Sequence, residues 1–195
     1  MLDTHGRRFV DPMIKGAADI FIQGGFKPDQ VTFTAFLTGM IAALMIIPDR
    51  AILSVTLLWI SGFLDAVDGA VARKTGQSSP WGTVLDITCD RVVEVALILC
   101  LAFNDHSTWP AMMVLLSGII FSMTIFLTVG ALSKKASQKS FYYQAGFAER
   151  TEGFLFFSLM ILLPAIRTPL ILVFSLLIFL TGLQRLLEAH KLFRK

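Results

Sequence analysis

Four aspartates lie at the ends of two apolar stretches of the sequence, where charge is costly if lipid surrounds it. Asp65 and Asp68 are three residues apart, and Asp86 and Asp90 are four apart. On α-helices each pair shares one face, so two neighbouring helices would present two carboxylate pairs to each other. An aspartate at the bilayer centre costs about 2.5–3.5 kcal/mol. We therefore expect the pairs to line a hydrated cavity or to bind a cation. Oxygen donors in this number suit Mg²⁺, Mn²⁺ or Ca²⁺ rather than zinc.

Small residues accompany these acids. They let helix backbones approach closely, and beside a metal site they also let a diphosphate reach the metal. Arg73 lies one turn beyond Asp68, where a fixed cation can pair with a phosphate or with an aspartate. A lone arginine at the end of a span is otherwise a residue of the cytoplasmic loop, and its place beside the acids favours a functional role. The small residues are Gly62, Ala66, Gly69, Ala70, Ala72 and Gly82.

The composition is that of an integral membrane protein and excludes an ordinary soluble domain. Of the 195 residues, 55% are hydrophobic and only 16% are charged. Cys89 and Cys100 have no metal-ligand spacing and are interpreted as buried thiols, and the three histidines are interpreted as ordinary loop or terminal residues. The polar N-terminus predicts no cleaved signal peptide, and no nucleic-acid partner is expected.

Six segments predict transmembrane helices, each near the roughly 20 residues that a bilayer requires. The fifth is the shortest, and we expect its helix to extend back through Glu152 and Arg150 towards Gly146. The segments are residues 31–47, 51–72, 82–103, 109–132, 154–163 and 168–187. We treat the chain as one domain, with an N-terminal segment over 1–30, a six-helix bundle over 31–187 and a tail over 188–195.

The distribution of basic residues predicts the orientation. Of the 17 Lys and Arg residues, 14 fall on the side of the two termini, Arg50 and Arg167 fall on the other side, and Arg91 lies within the third span. Basic residues are enriched in cytoplasmic loops. Both termini are therefore predicted to be cytoplasmic, and the four aspartates lie at the cytoplasmic edge of an inner membrane.

A further helix is predicted before the first span. Apolar residues recur at spacings of three and four between Phe9 and Phe26, with basic residues between them. This pattern is typical of a helix lying in the cytoplasmic interface of the membrane. Packing of the same face on the helix bundle is the alternative, and the two are compatible.

The acids and small residues together resemble the signature of the CDP-alcohol phosphotransferases. The spacing is Asp65-x2-Asp68-Gly69-x2-Ala72-Arg73-x8-Gly82-x3-Asp86-x3-Asp90, with every position present. Pro28 to Thr32 resembles the Pro-Asn-x-x-Thr of the family, with Asp29 in place of the usual asparagine. Residues 139–143 and 149–153 resemble a bacterial subgroup of phosphatidyltransferase-like inner-membrane proteins. The resemblance covers most of the chain and implies six transmembrane helices after a juxtamembrane helix, usually in a homodimer.

The resemblance also implies a mechanism. Asp65, Asp68 and Asp86 would hold one or two Mg²⁺ or Mn²⁺ ions against the diphosphate of a CDP-linked donor. Asp90 would take the proton of the acceptor alcohol as general base, with metal coordination as a shared role. The remaining signature residues would shape the CDP pocket, and Thr32 would contribute from the first span. These pocket residues are Gly69, Ala72, Arg73 and Gly82.

The acceptor is less well defined by the sequence. Four basic residues follow the fourth span and are candidates to bind an acceptor phosphate, such as that of glycerol 3-phosphate or an inositol phosphate. Contact with anionic lipid headgroups is the alternative for the lysines. Tyr142 and Tyr143 are interpreted as interface anchors. The four basic residues are Lys134, Lys135, Lys139 and Arg150.

Three functions remain in competition. The first is transfer of a phosphatidyl group from CDP-diacylglycerol to a small polar alcohol. The second function exchanges donor and acceptor, so that a CDP-linked headgroup is the donor and diacylglycerol is the acceptor. The short chain and the basic segment after the fourth span favour the first function. The third is a cation transporter, which would place its acids near mid-bilayer and would not need the Gly, Ala and Arg positions. A structural protein with a degenerate site does not fit the intact signature.

Overall fold

The computed structural model describes residues 2–133 and 150–194, and all of the regular structure in these residues is helical. The all-α prediction is therefore confirmed. The chain divides into two compact units, Leu2–Asn104 and a second unit that begins at Asp105. The helices of the described residues are α1 (Leu2–Gln23), α2 (Pro28–Leu44), α3 (Ala51–Thr75), α4 (Pro80–Asn104), α5 (Trp109–Leu132), α6 (Arg150–Leu162) and α7 (Arg167–Phe193).

Three helical segments of the described residues are long and apolar enough to cross a membrane, judged by length and composition. They are Ala51–Thr75, His106–Leu132 and Pro164–Phe193. The other three predicted spans also form helices, but α2 has 17 residues and α6 has 13. In α4 the apolar run is interrupted by Asp86, Asp90, Arg91 and Glu94. The count of six spans thus stays a prediction.

The helix predicted before the first span is present as α1, and one of its faces packs against α3. Ala18 of α1 is buried with Val67 and Val71 of α3. α1 ends at a glycine pair, where Gly25 has a φ of 74° and the amide of Phe26 donates to the carbonyl of Phe21. This left-handed helix ending directs the chain into Pro28, the first residue of α2. Packing on the neighbouring helix is therefore confirmed for the buried face of α1.

Three helices of the first unit meet closely at Gly39 of α2. A Cβ atom added there would lie 2.8 Å from Oγ of Ser61 in α3 and 2.8 Å from Cγ1 of Val93 in α4. The same serine donates its hydroxyl to the carbonyl of Ala35 at 2.7 Å. Ser54 of α3 makes a matching bond to Ala42 at 2.7 Å. Helix α2 thus packs along both α3 and α4 and sets the distance between them.

The far end of α4 is fixed to the turn between α2 and α3. The side-chain amide of Asn104 donates to the carbonyl of Ile46 at 3.3 Å and to Oδ1 of Asp49 at 2.9 Å. Asp49 is a non-glycine residue with a positive φ, 56°. The two hydrogen bonds to Asn104 therefore help to hold a tight turn that brings α3 back along α2.

In the second unit, α7 packs against α5 and α6. Gly182 of α7 lies against Phe121 of α5, since a Cβ atom there would be 2.6 Å from the ring. At the start of α7 the buried guanidinium of Arg167 donates to the carbonyl of Met160 at 2.9 Å and lies 3.7 Å from a carboxylate oxygen of Asp105. This arginine therefore connects the start of α7 to the end of α6 and to the segment before α5.

We expect Gly39→Ala to destabilise the protein, because the added methyl group has no space between Ser61 and Val93. Overpacking of a tight core typically costs about 1–3 kcal/mol. Thermal unfolding of the purified protein in detergent measures the loss. Gly16→Ala in α1 is the matched control, because in the described part of the chain no atom beyond the adjacent backbone of α1 lies within 4 Å of its added Cβ. Equal unfolding temperatures for the two variants would contradict the close approach of the three helices.

We expect the contribution of Asp105 to stability to depend on pH. The hydroxyl of Ser107 donates to Oδ1 of Asp105 at 2.7 Å and lowers the pKa of that carboxyl below its ordinary 3.8, with the Ser107 amide and Arg167 acting in the same direction. A carboxyl with a lowered pKa stabilises the folded state above its unfolded pKa, and this is lost as the pH falls through the folded value.

Asp105→Asn should therefore lower the unfolding temperature at pH 6–7. Below about pH 4 the unfolding temperatures of the variant and of the unchanged protein should become more similar. The effect should stay below about 1 kcal/mol because the side chain is one-third exposed. Ser107→Ala is the companion variant and should reproduce part of the loss. A difference that stays constant between pH 3 and pH 7 would contradict this role of the carboxylate.

Candidate metal and substrate site

Helix α3 presents two different faces. Val67, Ala70 and Val71 are buried against α1. Asp65 and Asp68 belong to the other face, which they share with Gly69 and Ala72 because these positions follow one another at spacings of three and four. The packing of the apolar face on α1 therefore turns the carboxylates away from α1.

The start of α4 is fixed by its own first turn. The hydroxyl of Ser79 accepts a hydrogen bond from the amide of Gly82 at 3.0 Å, and Pro80 is the first helical residue. A serine before the helix and a proline at its first position are typical of helix starts. From this fixed start, Asp86 and Asp90 follow one turn apart on one face of α4.

The two helices bring three of the four aspartates together. One carboxylate oxygen each from Asp65, Asp68 and Asp86 lies within 4.8 Å of the others. Asp68 is 6% exposed. Oδ1 of Asp86 is buried, and no residue of the described ranges donates a hydrogen bond to it. Three acidic oxygens this close repel one another unless a cation lies between them, so the group fits a divalent ion with oxygen ligands.

Asp90 lies one turn further along α4 than Asp86 and is half-buried. Within the described part of the chain, the group of three carboxylates does not include it. Its role as a fourth metal ligand stays a prediction. Asp90 therefore lies beside the group but outside it, and its role as a base also stays a prediction.

Arg73 lies against Gly69 on α3. A Cβ atom at Gly69 would come within 3.1 Å of Nη1 of Arg73, so the glycine gives the guanidinium space to fold back along the helix towards the acids. Ala72 is half-buried on the same face as Asp65 and Asp68. Gly69 and Ala72 thus share the helix face of the acids, and the guanidinium of Arg73 lies beside Gly69.

The first turn of α2 lies beside the first turn of α4. Oδ1 of Asp29 is 3.9 Å from the position that a Cβ atom of Gly82 would take. Thr32 is buried and donates its hydroxyl to the carbonyl of Pro28 at 3.1 Å. The Pro28–Thr32 segment therefore meets the signature at Gly82. The aspartate that replaces the usual asparagine puts one more carboxylate at this corner.

The predicted acceptor residues are only partly described. Lys134, Lys135 and Lys139 lie outside the described residues, as do Tyr142 and Tyr143. Arg150 is the first described residue of α6, and its guanidinium carbon is 5.6 Å from the centre of the Phe154 ring. The prediction that the fifth helix includes Arg150 and Glu152 is confirmed.

Sequence reasoning missed three buried cations or ion pairs. Arg185 of α7 was counted only as a cytoplasmic charge, but it is 8% exposed and donates to the hydroxyl of Ser122 in α5 at 3.1 Å. Its guanidinium lies 4.8 Å from the centre of the Phe126 ring. Three small residues, Thr181, Gly182 and Ala189, are buried at spacings of three and four from it. This pattern of small residues in the sequence indicates a packed helix face and could have predicted the burial of Arg185.

The second missed feature is Arg167, described above, and the third lies within α4. The guanidinium of Arg91 forms an ion pair with the carboxylate of Glu94 one turn away. The Glu94 side chain is only 14% exposed. An acid and a base three residues apart within a predicted span were the signal for this pair.

The sequence was compared with models of protein families. Residues 26–189 match the model of the CDP-alcohol phosphatidyltransferases. The chain belongs to this family. The match includes the complete signature and helices of both units, so the resemblance stated from the signature is confirmed. The protein is a CDP-alcohol phosphatidyltransferase, and a membrane protein.

Two curated proteins illustrate the extent of the sequence similarity. An archaetidylinositol phosphate synthase of Pyrococcus horikoshii is 29% identical over 86% of this chain and 85% of that protein. The inner membrane protein YnjF of Escherichia coli is 28% identical over 97% of this chain and 96% of that protein. The similarity to each of these two proteins therefore extends over most of both chains.

Solved structures show the same fold. The phosphatidylinositol phosphate synthase of Mycobacterium tuberculosis with CDP-DAG bound has a TM-score of 0.77 and 22% identity, covering 92% of this chain and 94% of that chain. A structure of that enzyme with manganese and citrate has a TM-score of 0.73. The predicted cofactor class, Mg²⁺ or Mn²⁺, is confirmed for the CDP-alcohol phosphatidyltransferases, and the number of ions stays a prediction.

Proposed function

We propose that the protein transfers the phosphatidyl group of CDP-diacylglycerol to a small polar alcohol and releases CMP. The observation that carries this proposal is the group of three carboxylates from α3 and α4, with the guanidinium of Arg73 against Gly69 on α3. Such a group suits a metal-bound diphosphate, and the fold is shared with a synthase whose structure contains CDP-DAG. The family relationship supports a CDP-linked donor, from which CMP is the leaving nucleotide.

Asp65, Asp68 and Asp86 would hold one or two Mg²⁺ or Mn²⁺ ions. A bound divalent ion supplies charge neutralisation at the attacked phosphoryl group and at the leaving phosphate. The buried oxygen of Asp86, which accepts no hydrogen bond from the described residues, supports this assignment. Because the burial of Asp68 keeps water away from one side of the group, the electrostatic interactions there are stronger than in bulk water.

The donor pocket is proposed to use the side of α3 and α4 that has few side-chain atoms. Gly69, Ala72 and Gly82 leave space for the CDP moiety beside the acids. Arg73 would pair with a phosphate oxygen, since its guanidinium reaches back over Gly69. Thr32 would close the pocket from α2, where its buried hydroxyl is oriented by the carbonyl of Pro28.

Asp90 is proposed as the general base. It takes the proton from the hydroxyl of the acceptor alcohol while that oxygen attacks the β-phosphorus of the donor. A new phosphoester bond forms, the anhydride bond between the two phosphates breaks, and CMP leaves with the electron pair. A positioned base typically accelerates such a step by about 10²–10⁴-fold. The position of Asp90 one turn along α4 from Asp86, outside the group of three carboxylates, supports this role.

The acceptor is proposed to be an alcohol that carries a phosphate, such as a glycerol or inositol phosphate. Arg150, at the start of α6, and Lys134, Lys135 and Lys139 in the preceding segment supply positive charge for that phosphate. The relative from Pyrococcus horikoshii is named an archaetidylinositol phosphate synthase and the enzyme from Mycobacterium tuberculosis a phosphatidylinositol phosphate synthase, and these two names favour an inositol phosphate. An arginine at the end of a predicted span is well suited to pair with a phosphate.

The site is proposed to lie at the cytoplasmic edge of an inner membrane, in a protein with six spans, two cytoplasmic termini and a homodimeric state. Fourteen of the 17 basic residues fall on one side in this topology. One substrate is a lipid and the other is soluble in water. A site at this boundary is accessible to both.

The first test is turnover. Purified protein with CDP-diacylglycerol and Mn²⁺ should release CMP when inositol phosphate or glycerol 3-phosphate is added, and the lipid product should appear in step with CMP. Asp90→Asn should lower the rate by about 10²–10⁴-fold. Release of CMP only from a CDP-linked headgroup with diacylglycerol would support the reversed reaction, and no metal-dependent release with any pair would refute the proposal.

The second test concerns the metal. Asp86→Asn should weaken Mn²⁺ binding, followed by electron paramagnetic resonance, by more than about tenfold, since changes even to residues beyond the ligands have effects of this size. Asp90→Asn should change binding far less, and Glu188→Gln, an exposed carboxylate of α7, should not change it. Equal losses for Asp86→Asn and Asp90→Asn would make Asp90 a ligand rather than a separate base.

A further inference from the structure

A cavity of about 350 Å³ lies between α1 and the last turns of α3. Its size is within the range of pockets that hold small ligands. Both helices belong to the first unit, so the cavity is formed within a single compact part of the chain. The lining residues are Asp11, Ile14, Lys15, Ala70, Arg73 and Lys74.

The cavity is separate from the carboxylate site. Ala70 and Lys74 are four residues apart and belong to the face of α3 that packs on α1. Asp65 and Asp68 belong to the other face. Arg73 lies at the border between the two faces, since it lines the cavity and its guanidinium also lies against Gly69.

Basic side chains predominate in the lining. Lys15, Arg73 and Lys74 face one acid, Asp11. The ammonium group of Lys74 is fixed, because it donates to the carbonyl of Lys15 at 3.0 Å and to Oδ1 of Asp19 at 2.7 Å. Three basic side chains thus face two acidic ones when Asp19 is counted, so the net charge of the lining is positive. Such a lining favours an anionic ligand.

The same cavity has an apolar part, and it adjoins an apolar surface. Ile14 and Ala70 contribute aliphatic groups to the lining. On a neighbouring face of α1, Val10, Met13 and Ile20 are 42%, 67% and 71% exposed. Exposed apolar residues on a helix with basic neighbours are typical of contact with a membrane surface. The ligand can therefore reach the cavity from the headgroup layer of the bilayer.

We propose that this cavity binds the phosphate of an anionic phospholipid headgroup. Lys15 contacts the phosphate, Lys74 fixes the distance between α1 and α3, and the aliphatic lining accommodates the glycerol part of the lipid, while Arg73 adds positive charge at the border of the cavity. A free phosphate ion offers the same charge and the same acceptor oxygens, and a competition experiment distinguishes the two sources. The binding does not depend on turnover at the carboxylate site.

The test measures lipid retention by the full-length protein. The protein is purified in neutral detergent, incubated with phosphatidylglycerol or phosphatidylcholine of identical acyl chains, and examined by native mass spectrometry. We expect preferential retention of phosphatidylglycerol. Lys15→Gln should weaken it about fivefold, which is the contribution of one lysine near an anionic lipid surface. Lys191→Gln, an exposed lysine of α7, should retain the lipid like the unchanged protein.

Lys15→Arg should restore the retention, which distinguishes a lost cation from a disturbed fold. Equal retention of both lipids, or retention that Lys15→Gln leaves unchanged, would overturn the proposal. Displacement of phosphatidylglycerol by millimolar inorganic phosphate would support the site and assign it to phosphate alone, whereas retention against phosphate would support the lipid as its ligand. Because no CDP-linked donor is present, the result is independent of CMP release.

Discussion

The close approach of α2 to both α3 and α4 is the interaction on which the arrangement of the first unit depends. Gly39 has no side chain where Ser61 and Val93 converge, and two serine hydroxyls of α3 bond to carbonyl groups of α2. Between apolar helices in lipid there is no hydrophobic force, so close packing and such hydrogen bonds hold the helices together. They set the separation at which the carboxylates of α3 can reach the carboxylate of α4.

The two faces of α3 separate the carboxylates from the residues that pack against α1. Its apolar face buries Val67 and Val71 against α1, and this packing directs Asp65 and Asp68 to the opposite side. The same helix therefore carries an anionic site on one side and borders a basic cavity on the other. Arg73 lies at the border between the two sides, since it lines the cavity and its guanidinium also lies against Gly69.

Much of the local structure could be predicted from the sequence. Apart from the end of α7, which continues to Phe193, the helix starts and ends fall within a few residues of the predicted spans, because proline, glycine and serine near them act locally. The burial of Arg167 and Arg185 was not predicted. Counting basic residues assigns each charge by its place along the chain, whereas their partners Met160, Asp105 and Ser122 are brought near by folding.

The sequence by itself determined the family, the class of metal and the helix faces on which the signature residues lie, because helical spacing is a local property of the chain. The tertiary structure decided which of these residues meet. It grouped Asp65 and Asp68 with Asp86 but left Asp90 outside the group, and it placed Asp29 beside Gly82. Distances between helices depend on packing contacts such as those of Gly39, which lies far in sequence from the residues it positions.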